Sequence, residues 1–192
     1  MSKHKVAILV SGTGTNAINI IEYFEKISVA DVVLVISNKT DALALEKAQN
    51  KGVKTVVFNN ESFKKNGTVL DYLMSQSIDF IVLAGFLIKI PNEIIHAYPN
   101  KIVNLHPSLL PKYGGKGMYG KRVHKAVIEN QESESGISIH FVNEEYDEGT
   151  IIFQAKVSVE KGDSVEVLAQ KIQQLEHHFF PRVIEQVISK SL

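Results

Sequence analysis

Short apolar runs alternate with amphipathic stretches along most of the chain. Residues 6–10, 31–36, 53–58, 80–83 and 102–104 are near-continuous aliphatic runs, the pattern of strands buried on both faces. Between them, residues 16–26, 42–51, 67–76 and 92–97 carry apolar positions at helical spacing. This alternation predicts a parallel sheet covered by helices on both faces. The pattern changes after residue 118. A helix over 121–130 leads to strand-like runs at 137–142 and 151–159, joined by a polar turn, which predicts an antiparallel pair. The last element is a long helix from Ser164. Asp163 is its expected N-cap, with Glu166 three residues on as a capping box. Val167, Leu168, Ile172, Leu175 and Phe179 form one apolar stripe, and Pro181 is expected to kink or divide the helix. No repeat, low-complexity tract or linker is visible, so residues 1–192 read as one α/β, Rossmann-like domain with a mostly parallel sheet.

Composition narrows the function classes. A chain of 192 residues with 44% hydrophobic content can bury a sizeable core and is not disordered. Lys+Arg and Asp+Glu are both 21, so the basic excess usual in nucleic-acid binders is missing. Absence of cysteine excludes disulfides, thiol nucleophiles and cysteine-bound zinc. Residues 6–10 are too short for a signal-peptide core, and no apolar run is long enough to span a membrane. The expectation is a cytoplasmic monomer or homodimer with small-molecule substrates, no nucleic-acid or membrane partner and no metal.

Ligands of open α/β sheets bind beyond the carboxyl ends of the strands. Three polar clusters fall there: residues 11–16, residues 104–108 and the turn ending in Asp147. The first, Ser11-Gly12-Thr13-Gly14-Thr15-Asn16, joins a strand to a helix. Glycines let an anion approach the backbone, and the helix start offers free N–H groups. The Gly-Lys-Ser/Thr ending of a nucleoside triphosphate loop is missing. Gly12, Gly14 and Ala17 do satisfy a dinucleotide pattern, but the second strand ends Ser37-Asn38-Lys39 without the acid that would hold a ribose. Lys39 could face a 2′-phosphate instead.

Asn104 and His106, two residues apart at a strand end, point to the same side. The imidazole can carry a proton near neutrality and the amide can donate to a developing oxyanion. Asp147 could pair with His106, orienting the ring and raising its pKa. With no serine or cysteine nucleophile in the set, these residues suggest direct attack on a carbonyl by a bound substrate. Ser108 lacks the Gly-x-Ser-x-Gly elbow, and His177 and His178, adjacent on a helix, face different ways. Lys112, Lys116, Lys121, Arg122 and Lys125 read as a solvated basic face.

In these residues the chain resembles the folate-dependent formyltransferases. Five segments match in order: Val10 to Asn16, Ser37-Asn38-Lys39, Leu83-Ala84-Gly85-Phe86, Asn104-Leu105-His106-Pro107-Ser108-Leu109-Leu110-Pro111, and Gly136 to Val142 leading to Asp147. The fourth is specific for the superfamily and the first for the branch acting on glycinamide ribonucleotide. The resemblance implies that Gly14, Thr15 and Asn16 hold the substrate phosphate, with Gln173 and Glu176 reaching the same substrate and Glu176 on its ribose. It implies a pocket for 10-formyltetrahydrofolate, the co-substrate, lined by Leu87, Ile88, Lys89 and Ile90. Asn104, Asn143, Glu144, Glu145, Tyr146 and Asp147 would face it, and Lys64 or Lys65 would contact the folate tail. Asn104, His106 (protonated) and Asp147 would be catalytic, with formylglycinamide ribonucleotide and tetrahydrofolate as products in purine synthesis. Ile88 stands where many members have Arg, Glu148 where many have Gly, and the loop after Pro111 is longer than usual.

Related enzymes share the Asn-x-His core. One that formylates a charged tRNA adds a C-terminal nucleic-acid-binding domain, and one that hydrolyses formyltetrahydrofolate adds an N-terminal regulatory domain. Neither addition is expected here. An NAD(P)-dependent oxidoreductase is the alternative from another class of chemistry.

Overall fold

The computed structural model describes residues 3–190. Its strands are β1 (His4–Val10), β2 (Ala30–Ser37), β3 (Lys54–Val57), β4 (Phe80–Leu83), β5 (Ile102–His106), β6 (Glu134–Phe141) and β7 (Ile151–Ser158). The helices are α1 (Thr15–Phe24), α2 (Leu43–Asn50), α3 (Asn60–Lys64), α4 (Thr68–Ser75), α5 (Asn92–Ala97), α6 (Lys121–Glu129) and α7 (Val165–Lys190). One seven-stranded sheet has the order β3-β2-β1-β4-β5-β6-β7. Strands β1 to β5 pair in parallel, and β6 and β7 run antiparallel at one edge.

The two-residue period of a strand divides the core between two faces. Val6, Ile8 and Val10 point toward a cluster with Phe24, Phe180 and Ile184, roofed by α1 and α7. Ala7 and Leu9 point the other way, into a cluster with Leu73, Ile81 and Ile94 under α4 and α5. That double burial explains why β1 reads as a continuous apolar run. Strand order reverses between β1 and β4, the position where ligands of open α/β sheets bind. The loops that follow these strands are stitched together: Ser11 N–H donates to Gly85 O (3.1 Å) and Leu87 N–H to Ser11 Oγ (3.0 Å).

Strand β5 runs two residues past its expected end because β6 pairs with it through His106. The short α3 was not expected. It is capped by Asn59, whose Oδ1 accepts from Ser62 N–H at 2.9 Å. The cap of α7 is Ser164, not Asp163: Ser164 Oγ accepts from Val167 N–H at 3.2 Å. Asp163 instead accepts from Glu160 N–H and pairs with Lys171 at 2.6 Å, so no capping box forms around Glu166.

Pro181 does not divide α7, which is one helix of 26 residues. Proline cannot donate to the carbonyl four residues back, that of His177. Asn19 Nδ2 from α1 supplies the missing donor at 2.8 Å. Replacing Asn19 by Ala should therefore cost about 1–2 kcal/mol of unfolding free energy. In a Pro181→Ala background, where a backbone N–H is restored, the same change should cost clearly less. Equal costs in the two backgrounds, measured by denaturant titration, would mean that the Asn19 contact does not compensate the proline.

Candidate active site

The antiparallel register of β5 and β6 assembles the site. Asn104 lies opposite His140 and His106 opposite Ser138, so all four side chains share one face. Leu105 and Ile139, opposite one another, fill the core behind. The turn after β6 then returns Asp147 to the same face. Its Oδ2 lies 3.4 Å from His106 Nδ1 and 2.9 Å from Gly115 N, which donates to it. Its Oδ1 lies 3.6 Å from His140 Nε2 and 3.4 Å from Asn104 Nδ2. Asp147 adopts a left-handed backbone (φ 58°), and Glu148 does not. The glycine this turn needs is Gly149, because a Cβ there would lie 1.7 Å from Phe141 O. A side chain at position 148 therefore leaves the turn intact.

Hydrogen bonds define the imidazole tautomers. His106 Nε2 lies 2.8 Å from Tyr113 O, which can only accept, so Nε2 carries the proton. In the neutral form of the ring Nδ1 then carries the lone pair, 3.4 Å from Asp147 Oδ2. His140 Nδ1 likewise donates to Phe141 O at 2.8 Å, leaving its Nε2 to accept from Asn104 Nδ2 at 3.1 Å. His106 is 3% exposed, and burial pushes its pKa down. The Asp147 charge and the Tyr113 carbonyl oppose that shift without reversing it. Burial thus works against the imidazolium, where pairing with Asp147 alone led to the expectation of a raised pKa. Burial pushes the Asp147 carboxyl up, but the His140 contact, His106 and the Gly115 N–H outweigh it and hold the group below its usual range. The cluster sets an imidazole whose pKa is pushed down beside a carboxyl whose pKa is held low.

The glycine loop follows β1, two strands from β5 in the sheet. Gly14 takes a left-handed φ of 72°, and a Cβ there would lie 2.5 Å from Ala44 Cβ, so only glycine lets α2 pack on the loop. Ala44 N–H donates to Gly12 O and Lys47 Nζ to Thr13 O (3.0 Å), one helical turn apart. Asn16 Nδ2 donates to Glu176 Oε2 at 2.8 Å, which brings the α7 carboxyl to the start of α1. Burial raises the Glu176 pKa against that hydrogen bond. Gln173 is exposed one turn earlier on α7.

Two loops flank the cluster. Leu87 spends its N–H on Ser11, whereas among the described residues the backbone groups of Ile88, Lys89 and Ile90 have no partner. Across from them, Asn143 Oδ1 accepts from Glu145 N–H, and Glu144 pairs with His96 at 2.7 Å. Lys89 Nζ sits 5.6 Å from the centre of the Tyr146 ring, which links the two loops. Phe63 packs on Phe86 at 5.1 Å and so sets α3 beside this wall, but Lys64 there is paired with Glu61 at 2.8 Å. Of the basic stretch, Lys112, Lys121 and Lys125 are paired with Glu132, Glu166 and Glu129. Among the described residues no group of histidine, aspartate and glutamate is spaced to share a metal ion. No helix is long and apolar enough to cross a membrane.

Sequence reasoning missed His140, Tyr113 and Gly115 as parts of the site. His140 had a signal, since Ser138 and His140 alternate with Ile137 and Ile139 on a strand whose polar face must meet something. The other two act through backbone atoms and have no side-chain signature.

Residues 4–184 match the formyl transferase family. The chloroplastic phosphoribosylglycinamide formyltransferase of Arabidopsis thaliana is 42% identical over 188 residues, 95% of this chain; the chain spans 64% of that relative's length. The Haemophilus influenzae phosphoribosylglycinamide formyltransferase is 38% identical over 94% of this chain and 85% of its own. The crystal structure of phosphoribosylglycinamide formyltransferase from Bacillus halodurans superimposes with a TM-score of 0.88 at 33% identity, covering 98% of this chain and 97% of that one. The family match over residues 4–184 and the identity to these relatives show that the chain belongs to the formyl transferase family.

Proposed function

We propose that this protein transfers the formyl group of 10-formyltetrahydrofolate to the amine of glycinamide ribonucleotide, a step of purine synthesis. The observation that carries the reading is the buried His106, held between the Tyr113 carbonyl and the Asp147 carboxylate beside the Asn104 amide. No serine or cysteine nucleophile joins this set, so the substrate amine attacks the formyl carbon itself. His106 Nδ1 takes the proton that the amine sheds, directly or through a water. The imidazolium formed is stabilised by Asp147 Oδ2. Asn104 keeps His140 with one amide hydrogen and turns the other, which makes only a 3.4 Å contact to Asp147, toward the oxyanion. The proton passes to N10 as the C–N bond breaks, leaving formylglycinamide ribonucleotide and tetrahydrofolate.

Gly14, Thr15 and Asn16 hold the phosphate and Glu176 the ribose hydroxyls. Support comes from the helix start at α1, the left-handed Gly14 and the Asn16–Glu176 contact. Residues 88–90 offer their unpartnered backbone groups to the edge of the folate ring, with residues 143–147 as the opposite wall. The protein works in the cytoplasm on these two small molecules.

Purified protein should release tetrahydrofolate only when the amine substrate is present. Release of formate without it would establish the hydrolase, and turnover of a nicotinamide cofactor without formyl transfer the oxidoreductase. Because burial depresses the His106 pKa, kcat at saturating substrate should fall on acidification, with the limb that this group sets at an apparent pKa below 6.5. A rate that instead falls as pH rises through 7 would require the imidazolium in the resting enzyme. For Glu176→Gln, the raised carboxyl pKa predicts an unchanged or higher Tm, by about 2 °C, with KM for the amine substrate raised about tenfold. A drop in Tm with KM unchanged would remove Glu176 from the substrate site.

A further inference from the structure

Residues 113–115 strap both members of the central pair. Tyr113 O accepts from His106 Nε2 at 2.8 Å, and two residues on Gly115 N–H donates to Asp147 Oδ2 at 2.9 Å. The strap begins from an uncommon conformation: Tyr113 has φ 57°, a left-handed backbone that a bulky residue rarely adopts. Gly114 follows in a tight space, since a Cβ there would lie 2.6 Å from Leu110 Cδ2 and 3.3 Å from Asp147 Cβ and would press on both. A backbone so aimed needs an outside hold. The Tyr113 hydroxyl donates to Glu132 Oε1 at 3.0 Å and accepts from Asn130 Nδ2 at 3.1 Å, just beyond the end of α6. Glu132 is fixed in turn by Lys112, whose ammonium reaches both carboxylate oxygens at 3.0 Å. The pairing holds the Glu132 carboxyl below its usual range.

We propose that Tyr113 and Glu132 are positioning residues for the formyl transfer: the phenol–carboxylate anchor aims the Tyr113 carbonyl and thereby selects the Nε2–H tautomer of His106. The inference rests on the proposed role of His106. With the carbonyl in place, the lone pair of the neutral ring is forced onto Nδ1, beside Asp147. Without it, the proton can move to Nδ1, where Asp147 would hold it and the base would be lost. The anchor meets Lys112 and Asn130 and reaches the cluster only through the Tyr113 backbone, so its effect belongs to turnover and not to binding.

Tyr113→Phe and Glu132→Ala should each lower kcat about tenfold with KM for both substrates within about twofold. Imidazole ¹⁵N shifts should show neutral His106 as Nε2–H in the wild type and as a tautomer mixture in both variants. Glu132→Gln still offers an oxygen to the phenol and should recover most of the loss, although it gives up the ion pair with Lys112. A variant that keeps full turnover, or loses it with the tautomer unchanged, overturns the proposal; the second result marks the contact as structural only. If the wild type transfers no formyl group, the functional reading fails separately, and the tautomer measurement still decides whether the anchor aims the carbonyl.

Discussion

A carboxylate is costly to bury, and Asp147 is largely withdrawn from water, its side chain only 12% exposed. Everything about the site follows from meeting that cost. One oxygen takes the Gly115 N–H and faces His106; the other faces Asn104 and His140. These groups come from β5, β6 and the loop before α6, so the carboxylate draws three segments into one point. The sheet register supplies the rigid part, since Asn104 and His140 are paired residues of adjacent strands. The loop supplies the adjustable part. Gly149 is the position where this convergence leaves no room for a Cβ, and a Cβ at Gly114 would crowd Leu110 and Asp147.

Environment then divides the labour among groups of similar chemistry. Asp147 and Glu176 are both carboxyls removed from water. Hydrogen bonds and histidine neighbours keep Asp147 ionised, whereas burial against a single amide raises Glu176. His106 shows the balance from the other side. Its neighbour is an anion, yet burial prevails and pushes its pKa down. A ring protonated in the resting state could not accept the proton of an attacking amine. A neutral ring beside a fixed carboxylate can, and the charge it gains is already matched.

Much of this was legible in the sequence. The buried strands read clearly because both faces of β1 are covered, so its five residues 6–10 are all apolar. Asn104 and His106 read as partners because the strand period puts them on one side. The antiparallel pairing of β6 with β5 is a long-range choice, and with it went the position of His140 and the extra length of β5. At α7, Asp163 and Ser164 are both competent caps, and only the tertiary pull of Lys171 on Asp163 decides between them. Pro181 reads locally as a helix breaker. The helix survives because Asn19, far away in sequence, satisfies the orphaned carbonyl. The aim of the Tyr113 carbonyl has no local signature, since left-handed tyrosine is not favoured by composition and depends on Glu132 and Asn130.

The central claim is that burial, partly offset by Asp147, keeps His106 neutral and ready to accept a proton. The most direct measurement is the titration of the His106 imidazole by NMR in the wild type and in Asp147→Asn. The account predicts a wild-type pKa below 6.5, and a further fall of about one unit or more in the variant, because the charge supporting the imidazolium is removed. A wild-type pKa above 7, or a variant pKa unchanged or raised, would contradict it.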